Sequence, residues 1–516
     1  MKLLVYITTI ALGGLIIGID TGIVASVLSM PEFKAFMFPP GTANASSLVG
    51  AIVSLGAAGG AFGNLIAGFV LEKLGRRSSL VLSTIFTIVG AVLQTASTGV
   101  ALMIAGRALG GIALGMLRPT VPTYITELAP AARRGRLVGV FGLLIALGYV
   151  IAGWVGYACS FASGNTGWRL ALGMQVPCAA VLVLLAVFLP ESPRWLAQKE
   201  RYEDMKRSMQ RIHGAGSDSD ASIEESLAAI RTQIALEAAT RTTHSWGYAM
   251  IELFNRRNIV RTAVAIIVLQ VGSLSGTMVI QQYQSILYAS LGYTGQKALL
   301  ITGCYGFMGF AGQILNIIGI ADRWPRVRTM WFGCIALAIC LSILMALSRF
   351  YGDGTNETGA RTGVAFVFIF SLVFALFFNS TLHTIPPEYF PVHLRGYGLA
   401  VADFAQGVTN IWLNQVTPSA FDAIHWKFYS VFIACLLSLA VFYATCLKET
   451  NQVPLEEIAA RFGDETVVNG DVERKVAAMG GVVAVHLENV PVHGQREQRE
   501  DDILGPPAAA AARIQV

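Results

Sequence analysis

Apolar residues in this chain fall in long unbroken runs rather than in the alternating patterns of half-buried helices and strands. Twelve runs stand near 4–28, 48–71, 79–98, 100–123, 137–158, 169–189, 260–288, 297–320, 329–348, 363–386, 398–416 and 427–446. A bilayer core asks for about 20 apolar residues per helix, because every backbone N–H and C=O must be satisfied inside the segment. The pattern predicts an all-α membrane protein with twelve transmembrane helices. Lys2 ahead of the first run resembles the start of a secretory signal, but the run continues past Asp20 to Met30 with no small-residue cleavage pattern.

The polar positions between the runs repeat. Glu72 with Gly75, Arg76 and Arg77 is echoed by Asp322, Arg323 and Arg326. Glu127, Pro130, Arg134 and Gly135 recur with the same internal spacing as Glu388, Pro391, Arg395 and Gly396, and Glu191-Ser192 returns as Glu449-Thr450. The chain therefore reads as two related six-helix halves, 1–190 and 258–447. Paired halves in a membrane mark a transporter that rocks one half against the other. Residues 191–257 form a polar linker in which Ile223 to Thr240 reads as an amphipathic helix. The tail 448–516 is predicted mostly disordered, beyond a short helix from Pro454 to Phe462.

Composition fits this picture: 54% hydrophobic and 13% charged residues, against about 25% charged in a soluble domain. Lys73, Arg76, Arg77, Arg133, Arg134, Arg136, Arg323, Arg326, Arg328 and Arg395 all fall in even-to-odd connections. The charge rule places those connections, and both termini, in the cytosol, with the plasma membrane as the expected location. Asn44 and Asn356 are glycosylation acceptors in loops assigned to the outside, whereas Asn379-Ser380-Thr381 matches the same pattern within an apolar run. The seven cysteines have no metal spacing, and the formal charge of +5 reports topology rather than nucleic-acid binding. No phosphate-loop motif is present, and Gly106, Gly110, Gly111 and Gly115 lie within an apolar run, where spaced glycines let helices approach. Neither an enzyme, a cofactor nor a metal site is predicted.

Gly18-Ile19-Asp20-Thr21-Gly22, Gly68 through Arg77, Tyr124-Ile125-Thr126-Glu127 with Arg134-Gly135-Arg136, Pro190 through Leu196, Leu274-Ser275-Gly276 and Leu455-Glu456-Glu457 together resemble the sugar-porter branch of the major facilitator superfamily, from Gly13 to Phe462. The resemblance implies the twelve-helix major facilitator fold, one central cavity and alternating access.

Three sets of residues carry the expected chemistry. Asp20 sits mid-span in the first run, where an ionised carboxylate is expensive and marks a proton or ion pathway. The resemblance pairs it with Arg107 of the fourth run as the proton-coupling pair of symporters. Arg118 lies three helical turns beyond Arg107, so both project from one face; it is expected either to bridge the halves to Asp403 or to receive an anionic substrate. The cytosolic charges Glu72, Arg76, Arg77, Glu127, Arg134 and Glu191, with their counterparts Asp322, Arg326, Glu388, Arg395 and Glu449, are expected to hold an inner gate shut.

Sugar-contacting positions implied by the resemblance fit a hexose poorly. Gly142, Gly272, Ser273 and Met278 stand where amides are usual, and His383 and Gln406 replace a tryptophan and an asparagine. Arg118, Gln281, Gln282, Asn379, His383 and Gln406 are the candidate cavity contacts, with Thr381 and Thr384 as partners for the imidazole. The expected function is a monomeric, proton-linked carrier of a small polar solute, namely a sugar, a polyol or a related cyclic acid. The alternatives are an exporter of a larger metabolite or organic anion on the same scaffold, and a non-transporting nutrient sensor.

Overall fold

The computed structural model describes residues 2–39, 45–130, 133–213, 246–290, 293, 296–321, 323–351, 357–453, 457–458 and 462. Asn44, Asp322, Asn356, the Ile223 to Thr240 segment and nearly all of the tail lie outside the described residues.

Eleven described helices are long and apolar enough to cross a membrane. They are α1 (Lys2–Leu28), α2 (Leu48–Leu74), α3 (Arg76–Thr95), α4 (Val100–Leu128), α5 (Arg134–Cys159), α6 (Thr166–Ala186), α7 (Ile259–Gln282), α8 (Gln296–Ile320), α9 (Arg326–Phe350), α10 (Arg361–Tyr389) and, after the next, α12 (Trp426–Cys446). Between the last two runs α11 (Val392–Ile424), which is long enough but carries Asp403, Gln406, Asn410 and Asn414. These four residues line the cavity at the centre of the bundle. The fold is all-α, with twelve transmembrane helices in two six-helix halves.

Several helices differ from the apolar runs at their ends. Arg76, Arg134 and Arg326 are the first residues of α3, α5 and α9, and Arg395 falls in the first turn of α11. The sequence pattern places all four in loops. Burial against carboxylates lets the helices continue through them. Two helices break: α7 at Ser275-Gly276, where Gly276 takes φ +82° before a helix resumes over Thr277–Ser290, and α10 between Phe377 and Thr381. Asn379 therefore sits in a turn, not within a helix.

Within the N-terminal half, α1 packs on α5 and α2 on α4 nearly backbone to backbone. A Cβ on Gly18 would stand 2.1 Å from the Ile145 carbonyl, and one on Gly115 2.0 Å from that of Gly60. Gly110 of α4 serves another neighbour, since a Cβ on Gly90 of α3 would meet its backbone N at 2.7 Å. The glycines read from sequence as packing residues hold this position. The halves meet along two seams, α2 against α11 and α5 against α8. In the first, Gly68 faces Ala400 and Gly407 faces Ala61; in the second, Gly153 faces Gly303. All seven cysteines are free.

Candidate functional site

At one end of the bundle, the paired charges assemble into two similar clusters. Arg76 donates through Nε and Nη2 to the two oxygens of Glu127, each at 2.9 Å, and Nη2 also reaches Glu72 at 3.4 Å. Glu191 accepts the backbone N–H of Arg76 at 2.9 Å and of Arg77 at 3.2 Å, so its carboxylate caps the start of α3, where unsatisfied N–H groups and the helix dipole favour an anion. Gly75 makes the approach: it holds φ +93°, and a Cβ there would lie 2.6 Å from Glu191 Oε2.

The second cluster repeats this chemistry. Glu449 accepts the backbone N–H of Arg326 at 3.0 Å and of Val327 at 3.2 Å, capping α9, while the Arg326 guanidinium donates to Glu388 and, at 2.9 Å, to the Thr450 hydroxyl. Ser192, the counterpart of Thr450, donates to Glu127. Tyr124 donates to the Pro190 carbonyl and Tyr389 to that of Lys448. These hydroxyls were missed in the sequence reading, although a hydroxyl follows the acid in both Glu191-Ser192 and Glu449-Thr450.

Each cluster then receives an arginine from the opposite half. Arg134 donates to Glu388 at 3.2 Å, and Arg395 donates to Glu127 at 3.5 Å. All four side chains are nearly inaccessible, Glu127 and Glu388 showing none of their side-chain surface. Burial strengthens such pairs and makes each costly to break, about 3–5 kcal/mol where one partner is lost. This end of the bundle is closed. Asp322, the repeat of Glu72, lies outside the described residues.

Toward the middle, Asp20 accepts Arg107 Nη1 at 2.9 and 3.1 Å. Asp20 is 1% exposed. Gly56 of α2 leaves room for the guanidinium, since a Cβ there would lie 3.0 Å from Nη2. The pair forms one wall of a cavity between the halves, about 90 Å³ in volume, to which Arg118, Gln282, Asp403 and Gln406 also contribute. That space accommodates several waters but falls well below the 300–1,000 Å³ of a drug-sized ligand site, so the cavity is contracted.

Arg107 and Arg118 share one cavity, as their spacing on α4 implies. The direct Arg118–Asp403 bridge is not made: they line the cavity from opposite halves, within electrostatic reach but without an ion pair. Arg118 is left facing the cavity with no hydrogen bond or salt bridge among the described residues. It is the cavity's uncommitted cation, whereas Arg107 is held by Asp20.

Several expected cavity contacts are used elsewhere. Asn379 donates to the Gly142 carbonyl at 3.0 Å, and Gln281 accepts from Tyr149 at 2.9 Å; neither lines the cavity. His383 packs its ring edge-on against Phe141 at 4.9 Å, and Thr381 and Thr384 donate to their own helix carbonyls rather than to the imidazole. Gln406 does line the cavity, with its amide N–H on the Leu269 carbonyl at 2.7 Å. The glycines at amide positions explain this rearrangement. A Cβ on Gly142 would stand 2.9 Å from the Asn379 carbonyl, and one on Gly272 2.5 Å from Gln406 Nε2. Amides from facing helices occupy the vacated space. Asn64, Asn410 and Asn414 line the cavity without having been singled out, because polar residues in a weakly polar helix give no period to read.

A membrane-embedded bundle of two halves, closed at one end by exchanged arginines and holding a polar cavity between them, defines an alternating-access transporter. The chain belongs to the family described as "Sugar (and other) transporter", whose profile matches residues 6–462. It is 29% identical over 459 residues to the MFS-type transporter criB of Aspergillus cristatus, covering 89% of this chain and 93% of the relative. To a quinate permease of Neurospora africana it is 30% identical over 471 residues, covering 88% of each. Its fold matches the proton:xylose symporter XylE bound to 6-bromo-6-deoxy-D-glucose with a TM-score of 0.77, at 23% identity, over 89% of this chain and 99% of that one. Against the inward-open conformation of XylE from E. coli the TM-score is 0.66, at 22% identity, over 89% and 99% of the two chains. The protein is a membrane transporter of the sugar-porter type and not an enzyme.

Proposed function

We propose that this protein is a proton-linked carrier of a small polyhydroxylated solute, and that a carboxylate-bearing member of that class, such as a cyclic hydroxy acid, is its cargo. The buried Asp20–Arg107 pair on the cavity wall carries the coupling. A proton arriving on Asp20 removes its charge and releases Arg107, which changes the relative stability of the two orientations of the halves. Arg118 supports the acidic cargo. A guanidinium in a membrane cavity calls for an anion, and no described residue forms an ion pair with Arg118 in this conformation, Asp403 standing across the cavity. The name of the quinate permease relative points the same way.

In this reading the charged end faces the cytosol, both termini lie there, and the protein acts as a monomer in the plasma membrane. The concentration of Lys and Arg at that end and the poorer match to the inward-open symporter support it. Residues 1–190 and 258–447 rock about the cavity, joined by the segment 191–257, with 448–516 as a cytosolic tail. Asn44 and Asn356 are then external glycosylation acceptors.

The test is radiolabelled flux in proteoliposomes, with and without an acid-outside gradient, across sugars, polyols and cyclic hydroxy acids. Accumulation of an acid above equilibrium, collapsed by a protonophore, is expected. Equal flux in both conditions defeats the coupling, and transport of neutral hexoses alone defeats the acidic cargo.

A further inference from the structure

A cleft larger than the transport cavity opens elsewhere on the molecule. It measures about 700 Å³ and opens at the charged end, between α3, the segment that follows α6 and the helix Tyr202–His213. Its two walls differ in kind. One is formed by Val81 and Ile85 of α3 and by Val187 just past α6, of which Ile85 and Val187 are 42% and 53% exposed on the membrane-facing surface. The other carries Arg77, Arg207 and Arg211.

The acidic groups of the cleft are committed. Asp204 is held by Arg201 at 2.6 Å and lies 3.6 Å from Arg207, and the Glu191 carboxylate accepts backbone N–H groups at the start of α3. The side chains of Arg77 and Arg211 have no hydrogen bond or ion pair among the described residues. A cationic wall at the membrane boundary facing an apolar one continuous with the lipid surface fits one class of ligand. We propose that this cleft binds an anionic phospholipid, its phosphate on Arg77, Arg207 and Arg211 and an acyl chain along Val81, Ile85 and Val187. Guanidinium groups pair with phosphate bidentately, and basic pockets beside membrane helices select charged headgroups. A free phosphate would use the arginines but leave the apolar wall unfilled.

Native mass spectrometry of the full-length protein in detergent tests this with dioleoylphosphatidylglycerol and dioleoylphosphatidylcholine. One phosphatidylglycerol should be retained in preference to phosphatidylcholine. Arg207→Gln with Arg211→Gln should weaken that binding roughly tenfold or more, as expected for two charges at a lipid surface. Val81→Trp, which fills the apolar wall and keeps every charge, should weaken it as well, with melting temperatures confirming that both variants fold. Equal retention of the two lipids, or binding unchanged in the arginine variant, overturns the proposal. Displacement of the lipid by millimolar inorganic phosphate overturns it in favour of a simple anion site.

Discussion

Arg134 of the N-terminal half donates to Glu388 of the C-terminal half at 3.2 Å, and this contact is matched in the other direction by Arg395 on Glu127. Each glutamate already serves an arginine of its own half: Glu127 binds Arg76, and Glu388 binds Arg326. The crossing arginines are therefore additions to clusters that stand without them. Separation of the halves leaves Glu127 and Glu388 paired, which keeps opening within reach of thermal energy.

Removing a crossing arginine should favour the conformation open at the charged end. Arg395→Ala leaves the Glu127–Arg76 pair intact and deletes one link between halves. Because Glu127 stays paired, the loss is one charged hydrogen bond, about 1.5–3 kcal/mol, so the closed-to-open ratio should fall by about one to two decades. Distances between spin labels across that end check this. An unchanged distribution removes the gating role.

Asp20→Asn keeps the shape of the side chain and abolishes its titration. Accumulation driven by a pH gradient should drop to simple equilibration, while exchange of labelled for unlabelled cargo persists. Pulsed flux measurements at several pH values read both quantities. Retained gradient-driven accumulation places coupling elsewhere.

Arg118→Gln should raise KM for a carboxylate cargo by roughly 10- to 100-fold, as lost charge-assisted bonds of about 1.5–3 kcal/mol imply. KM for a neutral polyol should move little. A uniform rise for both cargoes indicates a structural effect and counts against anion recognition by this residue.

Gly115→Ala should destabilise the N-terminal half by about 1–3 kcal/mol, because its Cβ falls 2.0 Å from the Gly60 carbonyl and helix backbones cannot give way as side chains do. Gly99→Ala is the control, since nothing lies within 4 Å of its Cβ position. Melting temperatures in detergent compare the two.

Glu191 lies beyond the end of α6, and burial pushes its carboxyl above the ordinary carboxylate range even though backbone N–H groups and Arg76 oppose the shift. A raised acid stabilises the fold fully below its unfolded pKa, and that contribution is lost as pH rises through the folded value. Melting temperature should therefore carry a downward step with rising pH, above about 4.5, that Glu191→Gln lacks.

The long apolar runs, the duplicated acids and arginines and the mid-span Asp20 were readable because each is a local violation or repeat. A carboxylate among isoleucines, or a doubled spacing of Glu, Pro and Arg, needs no partner to be noticed. What Asn379, Gln281 and His383 touch was not readable. Each makes its contact with a helix from a different part of the chain, and the partner of Asn379 is a backbone carbonyl made accessible by the missing side chain of Gly142. The separation of Arg118 from Asp403 likewise depends on how far apart the halves hold α4 and α11 in this conformation.

The amino-acid order by itself thus determined twelve spans, two halves and the identity of the charges at their ends, since hydrophobic length and charge burial act residue by residue. Tertiary structure alone decided which amides face the cavity, which arginine stays uncommitted and which glutamates are shared between halves, because helix packing fixes those choices at distances no sequence spacing encodes.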